Sequence, residues 1–495
     1  QIVETDRFRL LAEENRINIR LIPPARGLIF DRDGTLIAEN AQNYRIVIVR
    51  EDAGDLDETF ARLRALVPLT DDEVARARRE IMRRSPFVPV TIADQLDWED
   101  IAEVAVNAPA LPGITPEVGL TRNYPMGEDF AHVVGYVGPV SDYDLSRIED
   151  PDPLLQIPKF QIGKVGVEAR MEETLRGAAG TRRIEVNAAG RVMRELDRQE
   201  GRKGADIQLT VDHRLQNFCQ ARMGDESASA VVMDLASGDL LACASAPSYD
   251  PNLFVRGISV PDYRALTEDD HRPLATKTVQ GVYPPGSTFK MITALAAIEA
   301  GVLTAGETVY CPGHKRVGGR RFHCWKRVGH GWMDLHDSLV QSCDVYYYDI
   351  AERVGIDRIA EMARRLGLGD RFDLPLSAVH PGLVPDKDWK RRARGMDWMI
   401  GMTLNSAIGQ GDVLASPLQL AVMTARLATG EGIHPRLVKS VNGRETPIRN
   451  DGPLGLSPTT LAQIRKAMHD VSNHRRGTAY RSRIVDDAMT VAGKT

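Results

Sequence analysis

Apolar positions in the first 130 residues recur with two different periods. Tyr44 to Val49 and Phe87 to Ile92 are short β-branched runs and read as strands. Between them, Thr70-Asp-Asp-Glu73 opens a helix that runs to Arg84, since Thr and Glu three apart satisfy each other's orphan N–H groups. Phe8, Leu11, Ile17 and Ile19 fall at near-helical steps and predict an amphipathic opening. A Pro- and acid-rich link from Glu149 to Pro158 leads into a polar, extended stretch that ends near Gly201. From Ile207 the texture is that of a packed α/β region. Ser229 to Asp234 and Leu240 to Ser245 flank the turn Ala236-Ser-Gly-Asp239, which predicts a hairpin in a central antiparallel sheet. Met291 to Ala300 is an apolar run between Tyr283-Pro-Pro-Gly286 and Gly301, so a helix starts at Ser287. Its buried positions are Phe289, Ile292, Leu295 and Ala296, with Glu299 outside. A helical stretch from Leu335 to Val354, within a helical middle reaching Leu366, and an apolar strand at Val491 to Thr495 complete the pattern.

These elements describe a multidomain α+β chain. Residues 1–200 form an extended N-terminal pedestal without a nucleophile or ligand cluster, separable from the chemistry. Residues 201–495 form the domain with an antiparallel sheet and flanking helices. With 495 residues, 43% apolar and 26% charged, the chain can bury sizeable cores. Its 63 basic and 68 acidic side chains give a net charge of -5, which offers nucleic acid no global attraction. Lys390-Arg-Arg-Ala-Arg394 reads as a solvated loop. No run approaches the roughly 20 apolar residues that span a bilayer, and no signal peptide opens the chain. The abrupt start and the final strand, which leaves a sheet without its remaining edge, read as truncation at both ends.

The helix that begins at Ser287 places Ser287 and Lys290 on one face of its first turn. A serine becomes a nucleophile when a neighbouring base takes its proton, and a partly desolvated lysine at a helix N-terminus suits that task. Alone, the tetrad also fits a surface Ser and a solvated Lys. The last residues, Val491-Ala-Gly-Lys494-Thr495, and the central Ser342-Cys343-Asp344 change that reading. Ser-x-x-Lys, Ser-x-Asp and Lys-Thr in this order resemble the acyl-serine penicillin-recognising enzymes, whose fold is the penicillin-binding/serine β-lactamase-like transpeptidase domain.

The stretch Ile22-Pro-Pro-Ala-Arg-Gly27 with Asp31-Arg-Asp-Gly34 resembles the opening of class B penicillin-binding proteins. Gly163-Lys-Val-Gly166-Val-Glu168, Arg176-Gly177, Leu209-Thr-Val-Asp212, Ala407-Ile-Gly409-Gln-Gly411 and Ser416-Pro417 are similar to their later landmarks. Asp344 and the insert with Gly329-His330-Gly331 are similar to the elongation group, penicillin-binding protein 2. The resemblance implies a peptidoglycan D,D-transpeptidase that cross-links stem peptides and is acylated by β-lactams. Ser287 would attack the penultimate D-alanine carbonyl, with Lys290 accepting its proton. Ser342 would relay protons and Asp344 would fix Lys290. Lys494 and Thr495 would hold the donor's carboxylate. The oxyanion hole would combine the Ser287 N–H with an N–H just after Thr495, and the Arg272–Ala275 loop would approach the nucleophile. A RodA-like glycan polymerase and an MreC-like scaffold are the implied partners, and a single anchor before Gln1 would hold the catalytic domain in the periplasm. A serine β-lactamase, a β-lactam sensor and a catalytically weak assembly scaffold are the competing readings.

Of five cysteines, Cys311, Cys324 and Cys343 share one span with His330. Cys311, Cys324, His330 and Cys343 would supply a Cys₃His set to a structural zinc. Spacing alone favours buried small hydrophobes or a Cys311–Cys324 disulfide over a metal site. The resemblance favours zinc: relatives bind one in this insert through aspartates, a His and a Cys. His330 and Cys343 match that His and Cys, Cys311 and Cys324 replace the carboxylates, and His314 and His323 are rival donors. Cys219 and Cys243 read as isolated core residues, and no organic cofactor is implied.

Overall fold

Ile17-Asn-Ile-Arg-Leu alternates with period two, and Ile17–Ile22 (β1) is accordingly a strand where helical steps were expected. The computed structural model describes residues 17–495 except 85, 87, 88, 158, 159, 187–191, 256, 305 and 487, so Phe8 and Leu11 lie outside it. Along the chain follow β2 (Ile29–Phe30), β3 (Leu36–Ile48), α1 (Leu56–Arg64), α2 (Asp71–Arg83), β4 (Val90–Leu96), α3 (Trp98–Val106) and β5 (Ile114–Asn123). Thr70 and Glu73 form the expected capping box at the start of α2. The predicted Tyr44 strand is the far half of the 13-residue β3, and the second strand starts at Val90. β4 and β5 flank this half of β3, and Ile46, Phe60, Leu63, Ile81, Ile92 and Val104 close a core of their own. This end of the pedestal, its tip, has a core separate from that of Ser287's helix.

The root of the pedestal is built differently. After α4 (Gly166–Arg170) come β6 (Gly180–Val186), β7 (Val192–Gln199) and β8 (Ile207–Leu209); β1, β6 and β7 make a three-stranded antiparallel sheet. β2 pairs in parallel with β8, which pairs antiparallel with Val438–Val441, so one sheet runs from the pedestal into the second domain. Gly27 is required here, since a Cβ would lie 2.0 Å from the Ala205 carbonyl oxygen. Ile29, Tyr124 and Phe130 share a core with Leu209, Leu240, Cys243 and Leu418. Glu168 is fully buried and bonds Arg122 and Arg26, each at 2.6 Å. Burial pushes the Glu168 carboxyl up, but the Arg122 and Arg26 guanidinium groups outweigh it and hold it below the usual carboxylate range. The pedestal root is therefore continuous with the catalytic core, against the expectation of a separable unit. The Glu149–Pro158 link is itself packed in part, because Leu154 and Leu155 in the 3₁₀ turn Pro153–Gln156 are buried.

In the second part, β9 (Ala228–Met233) and β10 (Leu240–Ala246) form the predicted antiparallel hairpin, but among the described residues it stands as a two-stranded sheet of its own and not within a larger central sheet. A 3₁₀ turn, Gly286–Phe289, leads into α5 (Lys290–Glu299), whose residues from Lys290 to Ala297 are all buried. A helix buried on every side is apolar all round, so the one-sided pattern was too narrow a reading. The insert adds β11 (Val309–Cys311), β12 (His314–Val317), β13 (Arg320–His323) and β14 (Gly331–Met333), paired as β11–β14 and β12–β13. Then come α6 (Leu335–Val340), α7 (Asp344–Val354), α8 (Ile356–Arg365), α9 (Lys387–Arg394), α10 (Ile400–Ala407), α11 (Pro417–Thr429) and α12 (Pro458–Asn473). Two expectations are corrected. Lys390–Arg394 is helical, started by an Asp386 cap and stopped at Gly395 in the left-handed region. Val491–Thr495 forms no strand: Asn473 Nδ2 donates to the Val491 carbonyl at 2.9 Å and the Gly493 N–H to that of Met468 at 3.0 Å, so α12 takes the bonds a ladder would use. No helix among the described residues is long and apolar enough to cross a membrane.

Candidate active site

The chain must turn sharply to present Ser287, and the segment 409–415 holds that turn. The Gly286 N–H bonds the Gly409 carbonyl at 2.9 Å, while Tyr283 and Ala415 exchange two backbone bonds. A Cβ on Gly409 would lie 2.2 Å from the Gly286 oxygen, so only glycine permits this approach. The predicted helix from Leu335 to Val354 is broken here: α6 ends at Val340, Ser342 takes φ 55°, and α7 begins at Asp344. The break turns the Ser342 side chain toward Ser287.

Ser342 Oγ donates to Ser287 Oγ at 3.0 Å and accepts from Lys290 Nζ at 3.1 Å and Lys494 Nζ at 2.9 Å. Lys290 is fully buried; it also donates to the Ser342 carbonyl at 2.9 Å and pairs with Asp344 Oδ1 at 2.7 Å. Burial, then the nearby Lys290 charge, pull the Lys494 ammonium down to about 7, partly offset by Asp344. Lys494 also bonds the Thr495 carbonyl at 2.7 Å, and Thr495 Oγ1 lies 2.7 Å from Thr478 Oγ1. Ser287, Ser342, Asp344 and Thr495 line one cleft of about 650 Å³. All six predicted residues are thus gathered around one serine. The Arg272–Ala275 loop does not line this cleft.

Sequence reasoning missed Trp325 and Thr478. The Trp325 N–H donates to Asp344 Oδ2 at 2.8 Å and its indole to the Ser342 carbonyl at 3.0 Å, so Trp325 fixes both partners of Lys290. Its one sequence signal is its place beside Cys324. Thr478, after Gly477, carried none.

Cys311, Cys324, His330 and Cys343 converge behind this element, with one donor atom of each within 4.8 Å of the others. Cys324 Sγ and Cys311 Sγ lie 3.5 Å and 3.6 Å from His330 Nδ1. Tetrahedral bonds of about 2.3 Å to sulfur and about 2.1 Å to nitrogen separate such donors by about 3.6 Å. Cys311 and Cys324 are free thiols, not a disulfide. A hydrogen bond from the Cys343 thiol draws Cys324 below the usual thiol range against the effect of burial, and the same hydrogen bond together with burial pushes Cys343 up. The Asp344 N–H points at Cys324 Sγ, 3.4 Å away. Cys243 is buried as expected, whereas Cys219 is only half-buried.

The penicillin binding protein transpeptidase domain model matches residues 228–495 and the penicillin-binding protein dimerisation domain model residues 21–209. The peptidoglycan D,D-transpeptidase MrdA of Acinetobacter baumannii is 34% identical over all of this chain and 74% of its own length. A structure of penicillin-binding protein 2 from Pseudomonas aeruginosa in complex with WCK 5153 is 31% identical, covering 94% of this chain and 82% of that one, with a TM-score of 0.72. That of penicillin-binding protein 2 with MreC from Helicobacter pylori is 27% identical over 95% of this chain and 87% of that one, with a TM-score of 0.81. With both domain models matched in order along the chain and a relative 34% identical over its full extent, the chain belongs to the class B penicillin-binding proteins.

Proposed function

We propose that the protein is a peptidoglycan D,D-transpeptidase that works through an acyl-serine at Ser287. The observation that carries the reading is the unbroken hydrogen-bond path from Ser287 Oγ through Ser342 Oγ to Lys290 Nζ. With Lys290 as the free amine and the donors along the path reversed, Ser287 Oγ attacks the penultimate D-alanine carbonyl, and its proton passes through Ser342 to Lys290. The carbon–nitrogen bond breaks, and the departing D-alanine amine takes that proton back. An amine of a second stem peptide then bonds to the acyl carbon, the ester bond to Ser287 breaks, and the amine's proton returns to Ser287 Oγ by the same path. Asp344 holds Lys290 in place, while Lys494 and Thr495 take the donor's terminal carboxylate. A β-lactam enters the first step and leaves no departing piece, so Ser287 stays acylated.

The donor set supports a structural zinc held by Cys311, Cys324, His330 and Cys343, whose contribution when bound is rigidity behind Asp344. Family membership supports an MreC-like scaffold and a RodA-like glycan polymerase as partners, and a periplasmic catalytic domain on a single membrane anchor. The test is intact-mass measurement after incubation with a labelled penicillin. A single adduct at Ser287, absent from Ser287→Ala, is expected; an adduct that persists in the Ala variant overturns the assignment.

A further inference from the structure

The insert beside the cleft has a charge distribution unlike the rest of the chain. From Thr308 to Met333 the sequence carries Lys315, Arg316, Arg320, Arg321, Lys326 and Arg327 and no aspartate or glutamate, in a chain of net charge -5. Lys315 alone is neutralised, by Asp349 and Glu352. Arg316, Arg320, Arg321 and Arg327 are exposed, and none has an ion-pair partner among the described residues. The β12–β13 register makes matters worse locally, because Arg316 stands directly opposite Arg321. Like charges directly opposite one another destabilise a hairpin, so the Arg316–Arg321 pair costs the fold rather than supporting it. The surface reaches the chemistry: His323 and Arg327 line the same cleft as Ser287. So does Trp325, 59% exposed, its ring held by the Gln341 and Ser342 carbonyls.

Transpeptidation needs two stem peptides, and the roles proposed for Lys494 and Thr495 serve only the donor. We propose that the β12–β13 hairpin and the Lys326-Arg327 turn form the acceptor subsite, which holds the carboxylates of the second stem peptide and turns its amine toward acylated Ser287. The proposal rests on the transpeptidase reading. Arginine suits it, since its planar fork matches a carboxylate with two parallel bonds. Cationic surroundings also favour the free amine over its ammonium form, and the free amine is the nucleophile. A lone ester hydrolase would need no such surface.

The test titrates the unmodified chain with a soluble stem peptide that keeps its free amine but ends before the D-Ala-D-Ala pair, observed by NMR of the peptide. Saturable binding is expected, weakening about fivefold or more in the triple variant Arg316→Gln, Arg320→Gln, Arg321→Gln, and weakening with added salt. Replacing the three arginines by lysine should restore part of the affinity, and a peptide with amidated carboxylates should bind the parent and the Gln variant equally weakly. No binding to the parent chain, or equal binding of the carboxylated peptide to parent and Gln variant, overturns the proposal. Should the Gln variant instead lose only its binding to phosphatidylglycerol vesicles, the surface serves an anionic membrane and the proposal also falls. Failure of the parent chain to be acylated by penicillin would count against the transpeptidase reading itself, and so is distinguishable.

Discussion

Lys494 decides how the site responds to pH. Its ammonium sits at about 7 in the folded protein against an ordinary 10.5, so between those values the unfolded chain holds a proton that the folded one has lost. The penalty on the fold is fully present below pH 7 and is relieved as the pH rises toward 10.5. A bound carboxylate restores the charge. Above pH 7, therefore, association of a carboxylate-bearing β-lactam should take up a proton and weaken with rising pH. Calorimetry on Ser287→Ala in buffers of different ionisation enthalpy measures this; proton-neutral binding at about pH 8 would contradict it. Ser342 is the other decisive residue, since every proton path crosses its hydroxyl. Ser342→Ala should slow acylation about 10²–10⁴-fold with little change in melting temperature, because the backbone at φ 55° is strained for either side chain. Undiminished acylation would remove Ser342 from the path. Ser287, Lys290 and Lys494 were legible because short spacing and residue type carry their chemistry. Trp325 was not, because its contacts to Ser342 and Asp344 exist only once the insert folds back across 17 and 19 residues.

At the scale of elements, the break between α6 and α7 separates what periodicity reveals from what it hides. Leu335, Leu339, Val340, Val345 and Ile350 are all buried, so apolar spacing runs smoothly through the interruption. Cys343 occupies the N-cap of α7 without a side-chain cap bond, and no sequence signal marks it. What holds the break is tertiary: Cys343 belongs to the four-donor cluster, Asp344 bonds Lys290 and Trp325, and the Asp344 N–H meets Cys324. The same tertiary rule explains Val491–Thr495, whose apolar residues suggest a strand but whose bonds go to α12. If zinc joins the cluster, purified protein should hold about one zinc per chain, as structural Cys-rich sites bind tightly. Chelation or Cys343→Ser should then lower the melting temperature and slow acylation together, while Cys219→Ser does neither. Well under one zinc per chain with normal acylation would dismiss the metal.

On the scale of the whole molecule, composition and motif order revealed two parts but not how they join. Nothing in the sequence says that Ile29 and Phe30 will pair with Ile207 and Gln208, because strand partners so far apart leave no local trace. That pairing divides the pedestal into a tip and a root with different consequences. The tip has its own core, and Gln42 and Leu120 face each other across β3 and β5. Replacing residues 43–119 with an Asn-Gly turn between those two strands should leave acylation by soluble penicillin within roughly tenfold, about 1.4 kcal/mol in the barrier. Deleting residues 1–206 is a different operation. It strips β2 from the shared sheet, removes Ile29, Tyr124 and Phe130 from the core that also packs Leu240, Cys243 and Leu418, and opens that core to water. Each large apolar side chain removed costs about 2–5 kcal/mol, so three already approach the whole stability of an ordinary domain. The truncated chain should show no cooperative melting and no acylation, whereas the tip-deleted chain shows both. A fragment 207–495 that melts cooperatively and acylates at the parent rate would mean that the catalytic core closes without the pedestal root.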